Sequence, residues 1–134
     1  MDIDKAYILS AFNDQFTEFV EDVERVFPND VQIRTCKNAL FALRKTNPKL
    51  IFTSLSEYLL KYKTQIENKN INFFINKDYD NDMLEKQVNT EKSKKILDKI
   101  DSLRVPIKKM NDYEKEKIIT YMQNLLKLCE IYNL

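Results

Sequence analysis

The amino-acid sequence predicts an all-α fold, namely a single-domain antiparallel helical bundle of five to six helices that spans residues 1–134. The chain contains no glycine, the residue that supplies the positive-φ turns of hairpins and of phosphate-binding loops. Apolar residues recur at the i, i+3, i+4 spacing of one helical face. The connections between these stripes are short, which favours antiparallel neighbours.

The first two helices are predicted from their apolar stripes and from the residues at their ends. The first extends from Asp4 to Phe27 and ends at Pro28, because proline cannot continue a helix. Asp30 is expected to cap the second helix, which extends to Thr46.

The third helix is predicted to begin at an Asn-Pro pair. A residue before proline is disfavoured in the helical region, while proline suits the first helical position, so Asn47 should cap the helix and Pro48 should open it. Its stripe continues to Ile66. The short apolar segment "INFFI", residues 71–75, is interpreted as a short helix, because the chain offers no partner strand.

The C-terminal part is predicted as a polar segment followed by two helices. Residues 76–92 are dense in charged and amide side chains and are expected to be mobile. The next helix carries Ile96 to Ile107, with Pro106 kinking or ending it. Asn111, with Glu114 three residues later, predicts the N-terminus of the last helix through a variant of the capping box.

The two cysteines and the absence of histidine restrict the chemistry. Cys36 and Cys129 are far apart in sequence, belong to no CxxC pair and have no histidine to complete a zinc site. Both are expected to be buried thiols in a reducing compartment. No apolar run approaches the roughly 18 residues that cross a bilayer. We therefore expect a soluble, intracellular protein without a membrane span.

Three alternating aspartates resemble the start of a calcium-binding loop. Asp78, Asp80 and Asp82 match the D-x-D-x-D opening of an EF-hand. The sixth position, which needs glycine, is Met83, and the twelfth, which needs glutamate, is Asn89. We therefore expect no calcium site, and interpret the carboxylates as favourable charges near a helix N-terminus.

Catalytic motifs are missing from the sequence. Without histidine, a nucleophile would need a lysine or carboxylate base, and no serine or cysteine stands in a motif such as G-x-S-x-G. Sequence offers no reason to choose any pair of acids as catalytic. We predict a protein that is not an enzyme, with no catalytic residues, no metal and no cofactor.

The near-neutral total charge hides strong segregation. Residues 1–30 hold eight acids and two bases, a balance of minus six, whereas residues 92–109 hold seven bases and two acids, a balance of plus five. We call residues 92–109 the basic stretch. One interpretation is a helix that contacts nucleic-acid phosphates. The other is a solvated face that offsets the acidic first helix, within the fold or between subunits. The candidate phosphate contacts are Lys92, Lys94, Lys95, Lys99, Arg104, Lys108 and Lys109.

The chain contains eight phenylalanines and seven tyrosines, most of which fall on the apolar stripes. Some members of a set of five aromatics are expected to be exposed, and an exposed aromatic patch would mark a protein interface. These are Phe12, Phe73, Phe74, Tyr79 and Tyr113.

Five segments, in order, resemble a group of small helical proteins encoded by nucleocytoplasmic large DNA viruses of protists. They are "FTEFVEDVERVFPND", "ALRKTNPK", "KYKTQIENKNINFFINKDY", "SLRVPIKKM" and "YMQNLLKLCEIY". The most specific parts are the Phe27-Pro28 turn, the Asn47-Pro48 pair and "FFINKDY" at residues 73–79. The resemblance implies a helical, virus-encoded protein that works in the infected cell's cytoplasm or in the virion. It brings no catalytic motif and no residue role.

Two functions of different classes follow as hypotheses. The first is a non-enzymatic protein–protein interaction module that acts in virion assembly or in the viral replication compartment, with a viral partner or a second copy of itself. Its interface would use the acidic first helix, residues 71–83, or both, with Phe73, Phe74 and Tyr79 as contacts. The alternative is a nucleic-acid-binding protein that uses the basic stretch.

Overall fold

The computed structural model describes residues 3–76 and 91–134, and every regular element in these two ranges is a helix. The prediction of an all-α fold is confirmed. Most of the polar segment predicted to be mobile, residues 77–90, lies outside the described ranges. The helices are α1 (Lys5–Val26), α2 (Val31–Thr46), α3 (Leu50–Lys61), α4 (Lys63–Glu67), α5 (Ile71–Asn76), α6 (Glu91–Asp101), α7 (Arg104–Lys108) and α8 (Asp112–Tyr132).

Side-chain caps define the N-termini of the three longest helices. The Asp4 carboxylate accepts a hydrogen bond from a backbone N–H in the first turn of α1. Asp30 accepts two such bonds, at 2.9 and 3.1 Å, as predicted for α2. Asn111 Oδ1 accepts the N–H of Glu114 at 2.9 Å, also as predicted. The Glu114 carboxylate pairs with Arg25 on α1, so it joins α8 to another helix.

The junction between α2 and α3 differs from the prediction. Asn47 does not cap α3, because it ends α2, donating its N–H to the carbonyl of Leu43 at 2.7 Å. The Asn47 carbonyl then accepts the N–H of Leu50, where α3 begins. Pro48 lies in this turn, and its carbonyl accepts a 2.8 Å hydrogen bond from Nδ2 of the buried Asn13 on α1. This tertiary contact, which the local pattern does not contain, fixes the turn.

Two stretches that the sequence predicts as continuous helices are each divided in two. The helices are interrupted by a turn at Tyr62, between α3 and α4, and by a turn at Ser102 and Leu103, between α6 and α7. The second break precedes Pro106 by one turn. An uninterrupted helix would require Pro106 to donate to the Ser102 carbonyl, which it cannot do. After the break, Pro106 occupies the first turn of α7, where its missing N–H costs nothing.

The segment "INFFI" begins α5, so its interpretation as a helix is confirmed. The turn before it contains Lys69 at φ 56°, in the left-handed region that glycine usually occupies. Lys69 Nζ lies 3.5 Å from a carboxylate oxygen of Glu116 on α8. In this glycine-free chain, the turn before α5 therefore uses a lysine at positive φ.

The core is one hydrophobic cluster to which every described helix contributes, and its centre lies between α1 and α8. Side-chain contacts join α1 and α8 near both of their ends. Arg25 near the end of α1 meets Glu114 at the start of α8, with 2.9 Å between Nη2 and Oε2. Lys5 at the start of α1 lies 5.0 Å above the ring of Tyr132 at the end of α8. The innermost side chains of these two helices are Phe12, Val20, Val23, Ile119, Leu126 and Cys129.

Replacing Asn111 by alanine should lower the free energy of unfolding by about 1 kcal/mol, because the N–H of Glu114 loses its acceptor. Urea unfolding followed by circular dichroism measures the change. Asn133→Ala is the matched control, since Asn133 is an exposed residue at the other end of α8. An equal loss in both variants would contradict the capping role.

Candidate functional site

The aromatic segment of α5 belongs largely to the core. Phe74 is buried, 7% exposed, and packs edge-to-face on Tyr62 with ring centroids 6.0 Å apart. Phe73 is half-buried and contacts the same tyrosine at 5.4 Å. Phe12 is fully buried, so exposure is wrong for Phe12 and Phe74. Among the described members of the predicted patch, Tyr113 is the exposed one, at 69%.

The basic stretch presents its lysines to solvent. The side chain of Arg104 is half-buried and pairs with Asp101 on the preceding helix, with 3.1 Å between Nη2 and Oδ2. Lys92, Lys95 and Lys99 stand at i, i+3 and i+7 on α6, and we call them the basic ridge. Six lysines are exposed and form no ion pair with any residue of 3–76 or 91–134: Lys92, Lys94, Lys95, Lys99, Lys108 and Lys109.

Two acids of α1, Asp14 and Glu24, pair with basic residues of α2. Lys37 Nζ lies 2.7 Å from a carboxylate oxygen of Glu24, and Arg34 approaches the same group at 3.8 Å. Asp14 pairs with Arg44 farther along the two helices. Within the described part of the chain, therefore, ion pairs to α2 offset two acids of the first helix, and none of its acids pairs with the basic stretch. That the basic stretch of one subunit offsets the acidic first helix of another stays a prediction.

A surface groove of about 400 Å³ lies along the seam between α1 and α8. Its most exposed aromatic residue is Tyr113. The Nζ atom of Lys117 lies over the Tyr113 ring, 4.9 Å from its centroid. Tyr121 is half-buried and contacts Phe19 of the core, with ring centroids 6.0 Å apart. We call this feature the tyrosine groove. It is lined by Asp22, Tyr113, Glu116, Lys117, Thr120, Tyr121 and Asn124.

The tyrosine groove has an acidic character at its α1 edge. The Tyr121 hydroxyl donates to Asp22 Oδ2 at 3.5 Å, and burial, followed by the nearby charges of Asp22 and Glu18, raises the pKa of Tyr121. Glu116 lines the α8 side. Two carboxylates thus share the lining with one lysine, Lys117. Tyr121 remains a neutral hydrogen-bonding group at physiological pH.

Sequence reasoning named Tyr113 but did not place it beside Tyr121. The sequence does contain a pattern that indicates this shared face. Tyr113, Lys117, Tyr121 and Asn124 recur at helical spacing on the face of α8 adjacent to the apolar stripe. The partner surface on α1 was not predictable, because Asp22 and Tyr121 are 99 positions apart.

The two cysteines are buried and free, as expected from the sequence. Burial raises the pKa of Cys36, whose thiol donates to the carbonyl of Lys99 at 3.3 Å. Burial also raises the pKa of Cys129 to about 12. Both side chains are therefore protonated thiols at neutral pH, whereas a nucleophilic cysteine acts as the thiolate.

The described ranges contain no group of three or more cysteine, aspartate or glutamate side chains arranged to hold a metal ion. The alternating Asp78, Asp80 and Asp82 lie outside these ranges, as does Tyr79, the remaining residue of the predicted interface. Among the helices of 3–76 and 91–134, none is both long enough and apolar enough to cross a membrane.

Comparison of the chain with protein-family models, with curated protein sequences and with solved structures finds no match in any of the three.

The stability of the protein should fall as pH rises above about 9, in part through Cys129. The pKa of this thiol is near 9 in an accessible setting and about 12 in the fold. A pKa raised by folding contributes stability that is complete below the unfolded value and is lost as pH rises towards the folded value. Urea unfolding of wild type and Cys129→Ala at about pH 7 and about pH 10.5 isolates this contribution. The advantage of wild type should shrink at the higher pH, and a constant difference would contradict the assignment.

Proposed function

We propose that this chain is a non-enzymatic protein–protein interaction module of a large DNA virus, and that the tyrosine groove is its contact surface. The observation that carries the proposal is the exposed Tyr113 ring beside the hydrogen-bonded Tyr121 in one groove. Tyrosine is enriched at the energetic centres of protein interfaces, because it combines a large apolar surface with a polar end. The viral assignment rests on the resemblance of the sequence segments.

The geometry favours a partner segment that carries lysine or arginine. Asp22 and Glu116 line the groove, and Glu18 and Glu21 are exposed on the same helix as Asp22. The position of Lys117 above Tyr113 shows that this ring accepts a cation on its face. A basic side chain of a partner would meet the aromatic surface of Tyr113. It would share Asp22 with Arg25, whose Nε lies 2.7 Å from Oδ1. It would share Glu116 with Lys69, whose Nζ lies 3.5 Å from Oε1.

In this proposal the fold is a single antiparallel helical bundle whose rigid α1–α8 pair presents the groove. The contacts Arg25–Glu114 and Lys5–Tyr132, at opposite ends of the two helices, support the antiparallel arrangement. A module of this kind would act in virion assembly or in the replication compartment, so we expect it in the host cytoplasm or in the virion. Its partner is another viral protein or a second copy of this chain.

Tyr113→Ala should weaken partner binding by about tenfold or more, because truncation of a central interface tyrosine typically costs over 1 kcal/mol. The measurement is quantitative affinity capture from infected cells, followed by titration of the recovered partner. Tyr7→Ala is the matched control, since Tyr7 is 70% exposed against 69% for Tyr113 and does not line the groove.

Equal partner recovery by the two variants would reject the groove as the contact surface. Size measurement in solution tests self-association. A protein that is strictly monomeric and recovers no partner would contradict the interaction function as a whole.

The second candidate function is nucleic-acid binding through the basic stretch. It is favoured by the exposed lysines that have no ion pair within the described ranges, since such groups can neutralise phosphates without first breaking a salt bridge. The basic ridge concentrates three of them on one side of α6. Against this function, the single arginine of the stretch, Arg104, is already engaged with Asp101.

Replacing Lys92, Lys95 and Lys99 by glutamine should weaken binding to duplex DNA. It should also reduce the slope of log K against log salt by up to about 2.7, at about 0.9 for each phosphate that the variant no longer neutralises. The control replaces the exposed Lys45, Lys49 and Lys127, which changes net charge equally. No DNA or RNA binding by wild type at low salt, or an identical slope for both triple variants, would exclude this function.

A further inference from the structure

An apolar cavity of about 160 Å³, partly open to the surface, is lined by side chains of the core. In the described ranges its wall includes side chains from every helix except α2. Five aromatic rings contribute to it: Phe16, Phe19, Tyr58, Tyr62 and Phe74. The other lining residues of the described ranges are aliphatic or methionine, apart from one charged pair, Asp101 and Arg104.

A cavity of this size is unusual in a packed protein. Native interiors contain few voids larger than a water molecule, and the lining of a void forgoes dispersion attraction. Water gains little by entering an apolar space, because it needs two to four polar partners there. An engineered cavity of about 150 Å³ with a similar lining stays dry and binds benzene. The volume and the wall therefore fit a small hydrocarbon-like molecule.

The charged pair defines the polarity of the ligand. Arg104 Nη2 donates to Asp101 Oδ2 at 3.1 Å, and Nη1 donates to the carbonyl of Ile75 at 3.4 Å. The two side chains are 29% and 32% exposed, so the pair lies at the edge of the core. Because the pair is neutral as a unit, it offers hydrogen-bonding atoms but no net charge. A ligand carboxylate would have to compete with Asp101 for the guanidinium.

We propose that this cavity is a binding site for a small, neutral, hydrophobic molecule of about the size of benzene or of a short-chain alcohol, with any hydroxyl directed to the Asp101–Arg104 pair. The proposal is independent of the tyrosine groove, because the two sites share no lining residue.

The experiment uses the full chain with benzene, 1-hexanol and hexanoate as probes at neutral pH. Titration calorimetry measures affinity, and scanning calorimetry measures the shift of Tm. Benzene and 1-hexanol should bind saturably and raise Tm by several degrees. Hexanoate, which has a similar chain but a negative charge, should bind at least tenfold more weakly. Asp101→Asn should narrow that difference, because Arg104 then loses its counter-charge.

A cavity-filling variant and a matched control test the location. Leu55→Phe adds a ring at a half-buried lining residue, while Leu43→Phe makes the same change at a half-buried residue that does not line the cavity. Leu55→Phe should abolish binding of benzene and 1-hexanol, whereas Leu43→Phe should retain it. Met122→Phe provides a second filled variant, since Met122 also lines the cavity.

Circular dichroism confirms that each variant is folded before binding is compared. Absence of saturable binding of both neutral probes to wild type would overturn the proposal. So would equal binding of benzene by Leu43→Phe and by a folded cavity-filling variant. Preferential binding of hexanoate over 1-hexanol would reject the neutral ligand class.

Discussion

The rest of the structure depends on the burial of α1 against α8. These are the two longest described helices, at 22 and 21 residues, and they come from opposite ends of the chain. Phe12, Val20 and Val23 on α1 are fully enclosed, as is Cys129 on α8. Hydrogen bonds between these helices join residues that are 89 to 109 positions apart, so their pairing closes a long loop. Because the entropic cost of closing a flexible loop grows only slowly with its length, apolar burial along two long helices can offset it. The intervening helices then pack around this pair, and the tyrosine groove is its outer seam.

Local chemistry made part of this architecture predictable. Asp30 and Asn111 cap helices as expected, because a side-chain oxygen needs only a backbone N–H two or three residues away. Asn47 carries an equally strong local signal, yet it ends one helix instead of starting another. The difference is Asn13, a buried polar residue on α1 whose amide holds the carbonyl of Pro48. A cap can be predicted from neighbouring residues, whereas a turn held by a residue 35 positions away cannot.

The sequence separates acidic from basic residues, but it did not predict which residues pair with the acids of α1. Two acids of α1, Asp14 and Glu24, pair with Arg34, Lys37 and Arg44 on α2. The basic stretch does not take part in that pairing. Among the α1–α2 pairs, Lys37–Glu24 is partly buried, whereas the Arg34 side chain is 55% exposed. Exposed ion pairs contribute little to stability, so the Arg34–Glu24 pair positions the helices more than it stabilises them. The predicted interface through Phe73 and Phe74 requires both rings to be exposed. In the fold both rings pack on Tyr62, so Phe74 is buried and Phe73 is half-buried.

The apolar cavity follows from the kind of side chain that fills this core. Aromatic rings are large and rigid, and they prefer edge-to-face contacts such as Phe12 with Phe52 at 5.0 Å or Phe74 with Tyr62 at 6.0 Å. Satisfying several such contacts at once limits how closely the helices can approach, since a ring cannot change shape to fill a gap. A flexible side chain can change shape in this way, and Met122 is a methionine that lines the cavity. Helical spacing assigns each of these residues to the core but carries no information about ring orientation. The void is therefore a property of three-dimensional packing, and it can form even where every apolar stripe in the sequence is correctly identified.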